Sequence, residues 1–441
     1  MSRRIYFDGL NLSLEHGTGI ATYTRVLANV ARELGYEVGL VSSSPGAPPK
    51  NPLLREISFY DPKNAVRITR RRGRYERLLD RIRSPIGINT YPVPLSGAVV
   101  GEEFRNFLPK LDRIFLARNL FDNAREYFAW SGRFVDLSFD VVPDILHCTY
   151  QLPIRCKRAR NICTIHDLVP LRLPFTTLDE KRQTFRLLRE IVRHADHVVT
   201  VSEQSKRDII EILGVDESRV TNTYQAVTFP PEFLERSDDL VAEQLRGIFG
   251  LKQPGYLLFY GAIEPKKNVT RLIEAYLLST VDIPLVITGP PGWGIDLDAQ
   301  LAEHEKRRHS TQGKRSIDRS QKQRIYRFSY VSRSMLATLI RGARAVLFPS
   351  LYEGFGLPVL EAMLLGTPVV TSRTSSLPEV GGDAALYVDP YDTDDIARAI
   401  RTIAADADLR AELAARGRVQ AESFSLERYR ERIGAVYDRL S

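Results

Sequence analysis

Cysteine is scarce in this chain: three among 441 residues, at Cys148, Cys156 and Cys163. An odd count without the CxxC spacing of a zinc module argues against both a disulfide framework and a structural metal. Reduced thiols in or beside strands are expected. Long apolar runs are missing as well. Those present, such as residues 256–260, have strand length, well short of the roughly 20 residues that cross a bilayer. Ahead of Asp8 the only apolar stretch is Ile5-Tyr6-Phe7, too little for a signal-peptide core. A cytoplasmic location is expected, extending to the inner face of the plasma membrane. Tandem repeats do not occur, which excludes solenoids and propellers.

A surplus of acid is lacking too. Lys and Arg total 62 against 54 Asp and Glu, a net charge of +8. Much of it is local. From Arg67 to Arg83 eight arginines meet only Glu76 and Asp80, a net +6 (8 − 2) in 17 residues. Such a block serves as a solvated face, a contact with anionic membrane, or a nucleic-acid patch. Leu78, Leu79 and Ile82 fall on one helical side and supply the apolar strip of an interfacial helix. Only Tyr75 offers a ring for base stacking, so no nucleic-acid partner is expected.

A chain this long calls for two domains rather than one core. Its opening reads as a βαβ unit. Ile5-Tyr6-Phe7 forms a strand, and Gly17-Thr18-Gly19 sits in the loop that follows. Apolar positions then recur at Ile20, Tyr23, Val26, Leu27, Val30, Ala31 and Leu34, the spacing of a helix buried along one face. Gly35 ends it, and residues 38–41 form the next strand. Further strands are expected at 145–148, 162–165 and 198–201. A second series follows at 256–260, 284–288, 325–328, 345–348, 367–371 and 385–388. Strands alternating with helices build parallel sheets covered on both faces. Residues 45–138 show a poor pattern and read as an irregular insertion on the acceptor side. Residues 304–322 read as an exposed loop.

One segment speaks to chemistry. Ser350-Leu-Tyr-Glu353-Gly354-Phe355-Gly356-Leu357-Pro358-Val-Leu-Glu361 places two carboxylates eight positions apart around a Gly-Phe-Gly turn. Pro358 suits the first turn of a helix and Gly366 its end. Glu353 then belongs to the loop and Glu361 lies about one turn into the helix. The amides of Phe355, Gly356 and Leu357 at the positive helix end form a cradle for a phosphate. Elsewhere, Ile162-Cys-Thr-Ile-His166-Asp167 ends a buried strand, where ligands of open α/β sheets bind. His147 also ends a strand and ranks lower, more core residue than ligand. Ser376-Leu-Pro-Glu379 reads as a capping box. Asp296, Asp298, Asp392 and Asp394 read as first-turn partners of helix dipoles rather than metal ligands.

These strings resemble the retaining glycosyltransferases of family 4. The carboxylate pair looks like that family's Glu-x7-Glu motif, continued by Glu361-Ala-Met-Leu-Leu-Gly-Thr-Pro-Val-Val and Ser375-Ser-Leu-Pro-Glu-Val. Gly261-Ala-Ile-Glu-Pro-Lys266-Lys267-Asn268 is similar to its Gly-x-x-Glu-Pro-Arg-Lys-Asn, with Lys266 where Arg is usual. Gly19-Ile-Ala-Thr-Tyr-Thr resembles Gly-Ile-x-x-Tyr-Thr, and Phe328-Ser-Tyr-Val331-Ser resembles Phe-Gly-Tyr-Val-Ser.

The resemblance implies an α/β GT-B fold: two Rossmann-like domains facing a central cleft, with the C-terminal helix crossing back. The division expected is 1–228 for the acceptor side, 229–250 for a linker, 251–424 for the donor side and 425–441 for the crossing helix. It further implies that Glu353 contacts the donor sugar, Glu361 the ribose, Lys266 and Lys267 the diphosphate, Val331 the base and Gly19 a phosphate. Gly354, Phe355, Gly356 and Leu357 complete the diphosphate cradle, and His166 meets the sugar at the reacting centre. The Glu-Pro-x-Lys-Asn and Gly-Ile-x-x-Tyr-Thr variants look like mannosyltransferases using GDP-mannose. The expected reaction moves mannose onto a glycan or lipid-linked saccharide, with no cofactor and no metal. UDP-sugar transfer is the near alternative, and nucleic-acid binding the distant one. A same-fold epimerase would need no acceptor. A dehydrogenase would need an acid after the second strand, where Ser42-Ser-Ser44 stands.

Overall fold

The computed structural model describes residues 3–13, 19–61, 87–99, 108–294, 296, 297, 299 and 325–440. The expectations for Gly17, for Arg67 to Arg83, for Asp298 and for residues 304–322 fall outside them. The chain divides into two compact units, Met1–Leu171 with Asp179–Val227 and Ser425–Ser441, and Arg172–Leu178 with Thr228–Phe424.

The main sheet of the first unit has eight strands: β1 Arg4–Asp8, β2 Glu37–Ser44, β3 Tyr91–Val93, β4 Arg113–Arg118, β5 Ile145–Cys148, β6 Arg160–Thr164, β7 His197–Thr200 and β8 Val220–Asn222. Their order is β8-β7-β6-β5-β1-β2-β4-β3, parallel throughout except for the β3–β4 edge pair. Strands β5 and β7 are buried along their whole length, as expected of parallel strands with both faces covered. The helix Gly19–Glu33 buries Tyr23, Val26, Leu27, Val30 and Ala31, the stripe that its sequence spacing predicts. The C-terminal helix Leu426–Leu440 packs on it and buries Tyr429, Ile433, Val436 and Tyr437 in this unit.

Residues 45–138 need correcting: the stretch is not irregular throughout. It holds the helix Pro52–Tyr60, then β4 in six-residue register with β2, then the helix Leu120–Ser131. Strand β4 is a short apolar core, Ile114 to Ala117, flanked by arginines, and pairing with β2 rather than local pattern makes it a strand. The stretch 229–250, expected as a linker, is structured and part of the second unit. It forms the helix Asp238–Gln244, which a π turn, Leu245–Phe249, continues.

The second unit holds six parallel strands: β9 Leu257–Tyr260, β10 Leu285–Thr288, β11 Ile325–Phe328, β12 Ala345–Phe348, β13 Val369–Ser372 and β14 Ala385–Val388. Their order is β11-β10-β9-β12-β13-β14. At the carboxyl edge the loops after β9 and β10 touch backbone to backbone. A Cβ on Gly289 would stand 2.0 Å from the Gly261 carbonyl oxygen, at φ +148°. Only glycine permits that approach. Among the described residues no helix is long and apolar enough to cross a membrane.

Candidate active site

The carboxyl ends of β9 and β12 carry the charged candidates Lys266, Lys267 and Glu353. After β9 the chain makes a 3-10 turn at Pro265–Lys267, then passes through Asn268 at φ +61° into the helix Val269–Ser279. After β12 it runs through Leu351 to Gly356 and enters the helix Leu357–Leu364, with Pro358 in its first turn. The two loops are tied together. The Leu351 amide donates to the Lys266 carbonyl at 2.8 Å, and the Asn268 side chain donates to the carbonyls of Pro349 at 3.0 Å and Pro390 at 2.7 Å. Asn268 is thus a junction residue. Its motif position shows in the sequence, but its partners do not.

This junction brings Lys267 against Glu353. The ammonium donates to Glu353 Oε1 at 2.6 Å, and the two side chains are 14% and 8% exposed. The ammonium also lies 4.9 Å above the Phe348 ring. Burial pushes the Glu353 carboxyl up, but the charges of Lys267 and Lys266 outweigh it and hold the group below the usual carboxylate range. Lys267 moves against what a satisfied pair would show. Burial and the neighbouring Lys266 press its ammonium down further than Glu353 raises it. The 2.6 Å contact holds the two groups together as a buried pair, and burial is the main cause of the depressed amine. Glu264 adds a further, weaker pull on Lys267, so two carboxylates neighbour the two lysines.

Glu361 lies in the second turn of the Leu357–Leu364 helix, partly exposed. Desolvation lifts its carboxyl to about 7, against the opposing pull of Arg333 and the Tyr260 hydroxyl. Tyr260 itself donates to the Pro358 carbonyl at 2.8 Å. Arg333 opens the helix Arg333–Gly342, two residues after Val331, which stands half-buried beyond β11. Arg333 and Tyr260 carry no motif that would single them out in the sequence. Gly354, Phe355 and Gly356 are buried between the carboxylates, with Leu357 opening the helix. Gly356 adopts φ +111°, a conformation that L side chains rarely adopt.

Ser376 does not cap its helix: its backbone is helical and its side chain makes no cap bond. Its buried hydroxyl lies 2.9 Å from the Glu353 carbonyl and 2.8 Å from that of Phe355. Asp392 does act as an N-cap, accepting from the amides of Asp394 and Asp395.

The first unit carries His166 and Gly19. Gly19 is exposed at the start of its helix, whose Tyr23 stands edge-on to the His166 ring at 4.8 Å. His166 Nε2 lies 2.9 Å from the Thr149 carbonyl oxygen. A carbonyl only accepts, so Nε2 carries the proton and Nδ1 is the acceptor. Burial keeps the ring neutral by lowering its pKa. Thr149 is held in turn by Asp8, which accepts from its amide and, at 2.9 Å, from its hydroxyl. Asp8 is fully buried, and burial pushes its carboxyl up. The sequence shows neither partner, because Asp8 and Thr149 end different strands. His147 is a core residue, as its rank in the sequence suggested. It is fully buried, its pKa falls to about 3, and it lies 2.8 Å from both Tyr437 Oη and Thr164 Oγ1.

Among the described residues no three His, Cys, Asp or Glu side chains gather as metal ligands.

Comparison with known proteins points the same way. The profile described as "Glycosyl transferases group 1" matches residues 242–420, and that of "Glycosyltransferase Family 4" matches residues 101–227. O-antigen chain mannosyltransferase B of Escherichia coli is 35% identical over 283 residues, 63% of this chain and 69% of that protein. Serotype-specific mannosyltransferase WbdA of Escherichia coli is 27% identical over 70% of this chain, a match that spans only 38% of that relative. Among solved structures, a sucrose-phosphate synthase from Thermosynechococcus elongatus aligns over 99% of both chains with TM-score 0.64 and 16% identity. Anabaena HepE, in complex with UDP and glucose, aligns over 99% of this chain and 100% of its own, with TM-score 0.63 and 14% identity. At such identities the likeness concerns the fold alone, and that fold is GT-B, two Rossmann-like domains. The chain belongs to glycosyltransferase family 4.

Proposed function

We propose that this enzyme transfers mannose from GDP-mannose, with retention and without a metal ion, onto a glycan or lipid-linked saccharide in surface polysaccharide synthesis. The observation that carries the reading is the buried Lys267–Glu353 pair beside Lys266 and a helix N-terminus. Two ammonium groups and a helix end are what a departing nucleoside diphosphate needs, and a carboxylate beside them can grip sugar hydroxyls. The choice of mannose and of polysaccharide rests on the names of the O-antigen mannosyltransferases that this chain resembles.

In the proposed reaction the bond from the anomeric carbon to the β-phosphate oxygen breaks, and its electron pair stays on GDP. The acceptor hydroxyl attacks from the same face and gives its proton to the departing phosphate oxygen. Lys266, Lys267 and the amides from Gly354 to Leu357 stabilise the charge that develops, while Glu353 orients the sugar. Glu361 holds the ribose and Val331 the base through its backbone. His166 offers Nδ1 to a sugar hydroxyl, and Gly19 an open backbone to a phosphate. Two displacements would need a carboxylate nucleophile at the anomeric carbon, a role that family resemblance gives to neither His166 nor Asp167.

The test is thermal stabilisation by GDP, GDP-mannose, UDP and UDP-sugars without added metal. Binding raises stability by RT ln(1 + [L]/Kd), about 2.7 kcal/mol at a hundredfold excess over Kd. A shift with GDP ligands alone supports the donor. A shift with UDP ligands replaces it, and none at all removes the donor site. Anomeric coupling in the product decides retention.

We further propose a cytoplasmic location with contact to anionic membrane through Arg67 to Arg83, on the strength of that segment's net +6 (8 − 2) in 17 residues. Co-sedimentation with phosphatidylglycerol vesicles, undiminished after the arginines are exchanged for glutamine, would remove that contact.

A further inference from the structure

Three successive hydroxyls follow β13 and all three reach the loop that carries Glu353. Thr374 Oγ1 donates to the Leu351 carbonyl at 3.1 Å. Ser375 Oγ accepts from the Glu353 amide at 3.0 Å. Ser376 Oγ, with no exposure to solvent, stands 2.9 Å from the Glu353 carbonyl and 2.8 Å from the Phe355 carbonyl. The backbone of Glu353 is therefore gripped at its N–H and its C=O by adjacent serines. Only its side chain remains to be aimed, and Lys267 aims it.

The arrangement is not explained by local secondary structure. Ser376 opens the helix Leu377–Gly381 yet caps nothing there. Ser375 adopts φ +55°, a left-handed conformation unfavourable for a residue with a Cβ, and one that glycine would occupy without strain. Glycine would fit this backbone without strain but would lack the hydroxyl oxygen. That oxygen is on the Glu353 amide.

We propose that Ser375 and Ser376 are positioning residues for the transfer step, fixing the Glu353 carboxylate against the transferred sugar. The proposal rests on the reading of Glu353 as the residue that orients that sugar. A shift of about 1 Å at a reacting centre can cost about 100-fold in rate. Hydrogen bonds to both peptide groups that flank the Glu353 Cα are the device that prevents it here.

The discriminating variant is Ser375→Gly, because it separates folding from function. It relieves the left-handed strain and removes the oxygen. Thermal stability is expected to stay within about 2 °C of wild type or rise. The rate of GDP release from GDP-mannose, with an octyl mannoside as acceptor, is expected to fall about 10- to 100-fold in kcat. GDP affinity, measured calorimetrically, should stay within about threefold, since Lys266, Lys267 and Glu361 are untouched. Ser376→Ala should lower kcat similarly, and Ser376→Thr, which keeps the hydroxyl, should restore most of it. Wild-type kcat in Ser375→Gly, or a Ser376→Thr variant no better than Ser376→Ala, would overturn the positioning role while leaving the enzyme a mannosyltransferase. A wild-type protein that neither binds GDP nor turns over GDP-mannose would overturn the functional reading first, and this inference with it.

Discussion

Lys267 Nζ and Glu353 Oε1 are 2.6 Å apart, and neither side chain exceeds 14% exposure. A buried pair of this kind is a poor source of net stability, because desolvation consumes much of the attraction. Removing one partner is another matter, since it strands a charge. The pair therefore separates two roles that a single substitution would confuse.

Lys267→Met alone and Glu353→Gln alone should each cost about 3–5 kcal/mol in urea unfolding, whereas the double variant should recover most of that loss. Activity should not recover with it. Additive losses in the double variant would show that the two groups do not share a buried interaction.

Loss of the Glu353 carboxylate should lower kcat by roughly 10²- to 10⁴-fold, the range for positioned catalytic groups. Glu353→Ala is checked by steady-state kinetics alongside circular dichroism. A folded variant with near-normal turnover removes Glu353 from the chemistry.

Glu361 titrates at about 7, above its ordinary 4.5. A ribose diol donates hydrogen bonds best to the ionised carboxylate, so GDP should bind more tightly as pH rises through about 7. The phosphate of GDP titrates nearby, so Glu361→Gln is the reference, and its pH dependence should be flatter. Stability runs the other way. A raised carboxyl pKa means the folded state holds the proton more firmly, so this contribution is full below 4.5 and is lost as pH rises through about 7. Glu361→Gln should erase that decline in a series of melting temperatures from pH 5 to pH 8.

His166→Gln can still donate to the Thr149 carbonyl but lacks the acceptor at Nδ1. We expect kcat to fall about 100-fold with melting temperature near wild type. Because the wild-type ring is neutral through burial, its activity should show no loss attributable to this residue between pH 6.5 and 8. Unchanged kcat in the variant would remove His166 from the site.

Most strands of both sheets could be read from the chain because each is a short apolar run between turn residues. Residues 145–148, 325–328, 345–348 and 385–388 match the observed limits. Strand β4 could not, since four apolar residues between arginines gain their structure from β2, some 70 positions away. The charged residues of the site were equally visible, as side chains with an evident chemical use. What holds them was not. Ser376 looked like a helix cap because capping is local and its true partners lie 21 and 23 residues back. Thr149 and Asp8 shape His166 across a separation of 141 residues. Local spacing reveals which groups can react; only tertiary pairing reveals which way they face.

The bond between His147 and Tyr437 has a consequence for biosynthesis. Their 290-residue separation corresponds, at about 5–20 residues per second, to roughly 15–60 s of translation. Throughout that interval the nascent first domain lacks the helix that buries Tyr429 and Tyr437, and His147 lacks one of its two partners. The second domain, whose strands run from residue 257 to 388, can complete its sheet earlier. The last piece of the first domain's core, the helix Leu426–Leu440, thus leaves the ribosome after every strand of the second domain.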